Sequence, residues 1–448
     1  MTDTIVQRVD AVGRAGEVRP GEARPGEARP GEARPGEARP GEARPGEVGP
    51  GDSPPTFHPP AFRLPVADLS DAALAAVTAR LALTAEKYDR SAEFPWDGIR
   101  VLHEAGLLTV GVAARYGGDP PSSTDLVRLF EALGKGDPSV ALIAAMTIFQ
   151  HVHQAAAPWW PEELYEKVVA DSATNAVLLN AIRAEPEWGA PARGGIPATK
   201  IRRTESGWVI NGHKGFATGS EGLAYHLVWV ATEDDDPLLA HAIVPGTARG
   251  VEIVRTWDHL GQRATSTHDV IYTDVHIPFE NFRGTPKSKL SPEAGAGAGG
   301  ASGLAVSALY VGVARAAQEF FTKFASERIP TSLGRPIATT ERIQSVAGEI
   351  ETQLVQAEEV LFGLARRIDE GDQQASARAL VAKLLATRSA ITAVEAAVAA
   401  IGNPGLTRHN PLERHLRDVL SSRVHPPQDD AALLIAGRRV LATYAADR

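Results

Sequence analysis

A stretch of strand-forming residues between two long helical regions most constrains what this 448-residue chain can fold into. Residues 207–219 read GWVINGHKGFATG, and residues 260–265 (LGQRAT) and 274–278 (DVHIP) continue the pattern. Apolar and β-branched residues alternate with polar ones, and Gly or Asn interrupts the runs, which is typical of strands joined by hairpins. The sequence therefore predicts a β domain in the middle of the chain.

Both flanks of this stretch carry apolar residues at helical spacing. Residues 138–157 are nearly all apolar and are predicted to form a buried helix. After a Gly/Ala-rich linker at 293–300, four or five long helices with short connections predict an antiparallel bundle. The predicted fold class is α+β, mainly α. The predicted boundaries are a tail at 1–60, a helical domain at 61–173, a β domain at 174–288 and a helical bundle at 289–448.

The N-terminal tail repeats Arg-Pro-Gly-Glu-Ala from about residue 16 to 55. Proline fixes φ and removes a backbone donor at every fifth residue, and there is little apolar surface to bury. The repeat therefore predicts a disordered tail with no assigned function, and an interaction tail is the alternative.

Composition excludes several classes of function. The net charge of −9 gives no electrostatic reason to expect nucleic acid as a partner, and the absence of cysteine excludes disulfides and thiolate chemistry. The histidines are scattered without the spacing of a metal site. The chain begins without an apolar segment, and no uninterrupted apolar run is long enough to span a bilayer. A cytoplasmic protein without a membrane or nucleic-acid partner is expected.

The order of elements, together with Phe216-Ala-Thr218 and Arg417-Asp418, resembles the acyl-CoA dehydrogenase superfamily of flavoproteins over residues 64–448. The resemblance implies an N-terminal helical domain, a middle β domain and a C-terminal helical bundle. It also implies a bound flavin, either FAD or FMN, and a homo-oligomer, commonly a tetramer.

The resemblance assigns the flavin ring to the β domain. Phe216 and Thr218 match an aromatic residue and a Ser/Thr that contact the flavin, the hydroxyl lying near N5. Asn180 is similar to an Asn that precedes Ala in the monooxygenase branch of the superfamily. The alternatives are a core position for Phe216, an ordinary strand position for Thr218 and a turn-capping role for Asn180.

The flavin phosphates are expected at the bundle. Arg328 matches an Arg that meets a flavin phosphate, often in a neighbouring subunit, and a surface Arg is the alternative. Gln344 retains one Gln of the family pattern, and Gly402 lies in the turn expected to approach a pyrophosphate. Two other Gln positions are Glu341 and Ala399, so FMN competes with FAD.

The position of the family's catalytic base is altered in this sequence. Acyl-CoA dehydrogenases carry a Glu after the Arg-Asp pair, and that Glu removes a substrate proton. The aligned residues here are HPPQ at 425–428, and the alternative family position aligns with Ser302. Neither place offers a carboxylate.

A different chemistry is implied by His425-Pro426-Pro427, which is similar to a His-x-Pro of flavin monooxygenases such as dibenzothiophene monooxygenases and nitrososynthases. A His near the flavin can hold or relay a proton during oxygen chemistry. His151 is a second candidate, because family members often carry a His near this place, whereas the nearby His153 is expected to serve packing.

The predicted function is a monooxygenase that acts on a small organic substrate with reduced flavin from a separate flavin reductase. Two alternatives stay open. One is an acyl-CoA dehydrogenase whose base has moved to Asp429 or Asp430, residues that also suit a helix cap. The other is a flavin-free binding protein on the same fold.

Overall fold

The computed structural model describes residues 62–187, 195–290 and 300–446. The predicted tail and the linker, apart from Gly300, lie outside the described residues. Within them, helices are followed by strands and then by helices again, which confirms the predicted α+β, mainly α fold class.

Three helices of the first helical region begin with a side-chain cap. Ser70 accepts from the Ala73 N–H at the start of α1, and Ser122 with Asp125 forms a capping box at α3. Asp137 caps α4, which is almost fully buried as the sequence predicts. The helices are α1 (Asp71–Ser91), α2 (Trp96–Glu104), α3 (Ser123–Gly136), α4 (Pro138–Ala156) and α5 (Glu162–Ser172).

The middle region forms one mixed sheet in the described part of the chain. Its order is β6-β7-β3-β2-β4-β5-β8, and β1 pairs in parallel with β4. The strands are β1 (Leu178–Ile182), β2 (Lys200–Arg203), β3 (Trp208–Ala217), β4 (Leu223–Ala231), β5 (Leu238–Pro245), β6 (Val251–Val254), β7 (His268–Ile277) and β8 (Thr285–Pro286). The predicted strand-rich stretch is confirmed, and β3 with β7 forms the antiparallel pair that carries the motif residues.

The C-terminal helices are α6 (Ala301–Glu327), α7 (Glu341–Asp369), α8 (Gln373–Ile401), α9 (Asn403–Leu406), α10 (Leu412–Leu420) and α11 (Asp429–Ala446). The short helix α9 stands where the sequence predicts only a turn. Helix α3 of the first region packs closely on α6, because Gly134 and Gly312 leave no Cβ between the backbones. An added Cβ at either glycine would lie 2.0 Å from a carbonyl oxygen, of Leu309 or of Glu131.

One helix among the described residues, α8, is long and apolar enough to cross a membrane by length and composition. Its most apolar window has a mean hydropathy of 1.5, and half of that window is buried inside the protein. The core helix of a soluble bundle meets the same criteria, so α8 is weak support for a membrane span.

Candidate active site

The end of β3 brings two of the predicted flavin residues together. Thr218 follows the last residue of β3 and is buried, and its carbonyl oxygen accepts a 2.8 Å hydrogen bond from Asn180 Nδ2 on β1. Asn180 is also buried and lies within its strand, so the turn-capping alternative is wrong. The Asn180 side chain thus joins β1 to the backbone at the end of β3.

Phe216 lies beside this contact with its ring outside the core. Its backbone is left-handed with φ of 55°, and 62% of the residue is exposed. The core alternative for Phe216 is therefore wrong. The ring meets His259 edge-on at 6.4 Å, and His259 stacks on Trp257 with centroids 3.5 Å apart. An exposed apolar ring next to a buried hydroxyl suits a planar molecule that is apolar at one end and polar at the other.

A series of buried hydroxyls leads away from Thr218. The Oγ1 atoms of Thr218 and Thr267 are 3.2 Å apart, and Thr267 donates to Thr265 Oγ1 at 2.7 Å. Thr265 in turn donates to the Gln262 carbonyl oxygen at 3.0 Å. Because each hydroxyl has one proton, the Thr218 proton is left for Thr267 or for a bound acceptor. Thr218 can therefore donate to a ligand without leaving a partner unpaired.

The loop that carries these threonines packs directly on α10. An added Cβ at Gly261 would lie 2.1 Å from the Arg417 carbonyl oxygen, so a larger residue does not fit. Gln262 has φ of 48°, and its N–H donates to Asp418 Oδ1 at 2.6 Å. The Arg417-Asp418 pair of the predicted motif thus anchors the β-domain loop to the bundle.

His425 lies where this loop meets α6. Its Nδ1 is 3.1 Å from the hydroxyl of Tyr310, a buried residue of α6. The Gln262 side-chain amide faces the same hydroxyl, and Gln262 Nε2 is buried with no completed hydrogen bond among the described residues. Contacts therefore run from His425 through Tyr310 and Gln262 to the threonines and Asn180.

Burial sets the protonation of these groups. Removal from water raises the pKa of Tyr310 well above its usual range, so its hydroxyl keeps its proton. Burial, together with the positive charge of Lys383, lowers the pKa of His425 to about 4. At neutral pH the pair is a neutral imidazole beside a neutral phenol.

His151, the second catalytic candidate, lies elsewhere. It is 1% exposed, its Nδ1 is 2.9 Å from the Tyr165 hydroxyl, and its ring packs in a cluster with Tyr165, which also contacts Tyr116 and Trp160. Its Nε2 is buried with no partner among the described residues, and burial lowers its pKa to about 4. This enclosure favours packing, and a catalytic role for His151 stays a prediction.

The three predicted phosphate residues gather at one end of the bundle. Arg328 follows the last residue of α6, Gln344 lies in the first turn of α7, and Gly402 follows the last residue of α8. All three are exposed, and Gln344 Nε2 donates to the Ala338 carbonyl oxygen at 3.1 Å. The Gly402 N–H closes α8 on the Val398 carbonyl oxygen, and an approach of this turn to a pyrophosphate stays a prediction.

The carboxylates near the altered base position are engaged. Asp429 forms ion pairs at 3.2 Å with both Lys383 and Arg388. Ser302, at the second family position for the base, is buried in the first turn of α6. Asp418 holds the Gln262 N–H, and burial raises its pKa to about 7. No carboxylate stands at either of the two family positions for the base.

Several residues that build this site carried no signal that sequence reasoning used. Tyr310 is one phenol within an apolar helix, and Gln262 is part of LGQRAT without a distinguishing pattern. A second missed feature is Lys214 on β3, which is fully buried and forms a 2.7 Å ion pair with Glu185. The sequence signal for this buried ion pair was a lysine, Lys214, within the alternating pattern of a strand.

The donor set fits a flavin ring. The ring system has a polar edge with acceptors and an apolar edge, and the site offers the Thr218 hydroxyl, the Asn180 amide and the exposed Phe216 ring. Thr218, Asn180 and Phe216 are the residues that would hold the ring.

Comparison with known proteins identifies the family of the chain. Residues 67–168, 181–275 and 304–427 match the family models for the acyl-CoA dehydrogenase N-terminal, middle and C-terminal domains. YdbM of Bacillus subtilis, a presumed acyl-CoA dehydrogenase, is 32% identical over 355 residues, which cover 78% of this chain and 91% of YdbM.

Two solved structures share the fold at 21% identity. Butyryl-CoA dehydrogenase from Megasphaera elsdenii has a TM-score of 0.71 and covers 84% of this chain and 99% of its own. TdsC from Paenibacillus sp. A11-2, in complex with FMN and indole, has a TM-score of 0.71 and covers 84% and 97%. The expected flavin and oxidoreductase class are confirmed. The chain belongs to the acyl-CoA dehydrogenase family.

Proposed function

We propose that this protein is a flavin-dependent monooxygenase that uses reduced flavin and O2 on a small organic substrate. The observation that carries the proposal is the contact between His425 and Tyr310, at the place where family dehydrogenases carry a carboxylate. Through Gln262, the same contact is connected to Thr218 and Asn180, the residues proposed to hold the flavin ring.

The protonation of His425 supports oxygen chemistry over proton abstraction. Among the described residues, His425 Nδ1 is the acceptor within reach of the buried Tyr310 O–H, so the phenol donates a hydrogen bond to Nδ1 at 3.1 Å and Nε2 carries the proton of the neutral imidazole. Such a ring donates a hydrogen bond and has no free lone pair for a substrate proton. Removal of a general base costs about 10²–10⁴ in rate, so dehydrogenation here would be slow.

The bound flavin would supply the oxygen chemistry. The residues of this chain would orient and enclose it. Thr218 can donate to an acceptor on the polar edge of the ring, and Asn180 fixes the backbone at Thr218. The Nε2–H group of His425 would donate a hydrogen bond to the reacting oxygen or to the substrate. The exposed Phe216 ring would cover an apolar part of the flavin.

A second candidate is an acyl-CoA dehydrogenase with a relocated base. It is favoured by the 32% identity to YdbM. In this case Asp429 or Asp430 would replace the missing Glu, and Asp429 would have to leave its ion pairs with Lys383 and Arg388. That requirement makes this candidate the weaker one.

The proposal also includes the expected partners. Arg328, Gln344 and Gly402 are exposed at the end of the bundle formed by α6, α7 and α8, which supports a homo-oligomer in which they reach the flavin of a neighbouring subunit. A separate flavin reductase in the cytoplasm would supply reduced flavin.

The two functions are separated by one pair of assays. The purified protein, with its released flavin identified, is mixed anaerobically with a panel of saturated acyl-CoAs, and flavin absorbance is followed. In parallel, reduced flavin, ¹⁸O2 and a panel of small aromatic compounds and amines are searched by mass spectrometry for labelled products. We expect label in a product and slow or absent bleaching. Rapid bleaching by an acyl-CoA would reject the monooxygenase.

Variants then assign the roles. His425→Ala should raise the share of reducing equivalents lost as hydrogen peroxide without changing flavin occupancy, because only the donor is removed. His276→Ala, at an exposed strand position, is the matched control. If acyl-CoA bleaching is seen instead, its loss in Asp429→Asn or Asp430→Asn would locate the relocated base.

A further inference from the structure

We propose that Tyr310 and Lys383 are positioning residues for His425, which hold its ring with the proton on Nε2 and that nitrogen free to donate. The inference rests on the proposed function, because it assumes that His425 faces the reacting molecule. It adds two residues that contact the 425–428 segment and are not among the predicted flavin contacts.

Tyr310 determines which ring nitrogen carries the proton. Its hydroxyl is 3.1 Å from His425 Nδ1, and the Gln262 amide faces the phenol oxygen from the other side. Burial keeps the phenol protonated, and burial together with Lys383 keeps the imidazole neutral. Among the described residues, His425 Nδ1 is the acceptor within reach of the buried Tyr310 O–H, and a buried O–H left without an acceptor is costly, so the O–H donates to Nδ1 and the imidazole proton is on Nε2.

Lys383 fixes the segment that follows the histidine. It is 6% exposed on α8, and its Nζ donates to the Pro427 carbonyl oxygen at 3.0 Å and to Asp429 Oδ1 at 3.2 Å. The backbone after His425 is thus tied to α8, while the ring is tied to α6 through Tyr310. A side chain held from two helices keeps one orientation.

The fold repeats this Tyr–His contact twice more among the described residues. His151 Nδ1 meets Tyr165 and His226 Nδ1 meets Tyr272, each at 2.9 Å. Both of these histidines are 1% exposed, whereas His425 is half-buried. The same contact therefore occurs at two fully enclosed imidazoles and at a third, His425, that keeps part of its surface exposed.

The test measures the proton affinity of His425 in the flavin-free and flavin-loaded protein. Carbethoxylation of His425 by diethyl pyrocarbonate, followed by mass spectrometry across pH, reports its pKa. Tyr310→Phe removes a hydrogen bond to the neutral ring, so the proton affinity of His425 should rise about 2- to 10-fold. Tyr165→Phe, the matched control at His151, should leave His425 unchanged. Lys383→Met removes a nearby positive charge and should also raise the proton affinity of His425.

The charged groups that face this segment are Lys383, Asp429, Arg388 and Asp418. None of these charges is changed in Tyr310→Phe, so a shift of the His425 pKa in that variant is caused by the loss of the phenol hydroxyl. An unchanged His425 pKa in Tyr310→Phe would overturn the proposal. A wild-type His425 pKa at its ordinary value would overturn it as well, and this measurement does not depend on a variant that folds.

A second readout separates this proposal from the proposed function. In the loaded enzyme, Tyr310→Phe should increase hydrogen peroxide release relative to product, with flavin affinity unchanged. If the wild-type protein incorporates no labelled oxygen at all, the monooxygenase is rejected, and the pKa measurements still decide whether Tyr310 and Lys383 position His425.

Discussion

The buried ion pair between Lys214 and Glu185 gives the most quantitative prediction. The two side chains are 0% and 2% exposed, and Lys214 Nζ lies 2.7 Å from Glu185 Oε1. Glu185 also accepts from the N–H groups of Ala198 and Thr199 and from the Thr199 hydroxyl. The pair therefore joins the segment after β1 and the start of β2 to β3, two residues before Phe216.

Replacing Lys214 with Met should lower the free energy of unfolding by about 3–5 kcal/mol, because it leaves a buried carboxylate without its counter-charge. Three hydrogen bonds to Glu185 remain, but they donate only partial charges. The double variant Glu185→Gln, Lys214→Met removes the charge as well and should regain at least about half of the loss.

Denaturant unfolding, followed by tryptophan fluorescence at one protein concentration, measures these differences from the midpoint and slope. Lys200→Met is the control, since this half-buried lysine of β2 donates only to the Pro197 carbonyl oxygen among the described residues. A loss below about 1 kcal/mol in Lys214→Met, similar to the control, would refute the reasoning, because an uncompensated buried charge should cost several times that. A double variant no more stable than Lys214→Met would show that packing, and not charge, causes the loss.

Three further predictions follow from the site and its surroundings. Arg328→Ala should weaken flavin binding about 10- to 100-fold without altering the unfolding midpoint, whereas Arg335→Ala on the same turn should not, as titration of the flavin-free protein will show. The folded pKa of Asp418, about 7 against an ordinary 3.8, means that the folded state holds this proton more tightly. Stability from this group is therefore present below pH 4 and is lost as pH rises to about 7, so Asp418→Asn should flatten that part of a pH series of unfolding midpoints. Deleting residues through Pro55 should change neither the melting temperature nor flavin affinity, and a large drop in either would contradict the prediction of a dispensable tail.

Local sequence patterns were sufficient for the elements of the fold. Apolar spacing predicted the helices, as in the buried run at 138–157, since this signal acts within a few residues. The alternation in 207–219 predicted β3 for the same reason. The placement of α3 against α6 was not predictable in this way, because it depends on Gly134 and Gly312, which meet only after folding.

The candidate site was predicted in part. Thr218 and Asn180 were found through their resemblance to family motifs, and the structure brings them into contact. Phe216 was expected to contact the flavin and its ring is exposed, whereas the Gly402 N–H of the expected phosphate turn already bonds to the Val398 carbonyl oxygen. A resemblance to a family indicates which residues belong to the site, but it does not show which hydrogen-bond partners their polar atoms already have.

The sequence by itself determined the order of helices and strands, the absence of cysteine chemistry and the lack of a carboxylate at both positions of the family's base. These properties depend on residue type and on neighbours along the chain. Only the tertiary structure decided that Tyr310 and Lys383 meet the segment of His425, from helices that are distant in sequence. It also decided protonation, because the pKa values of His425 and Tyr310 depend on how much water and charge the folded chain leaves around them.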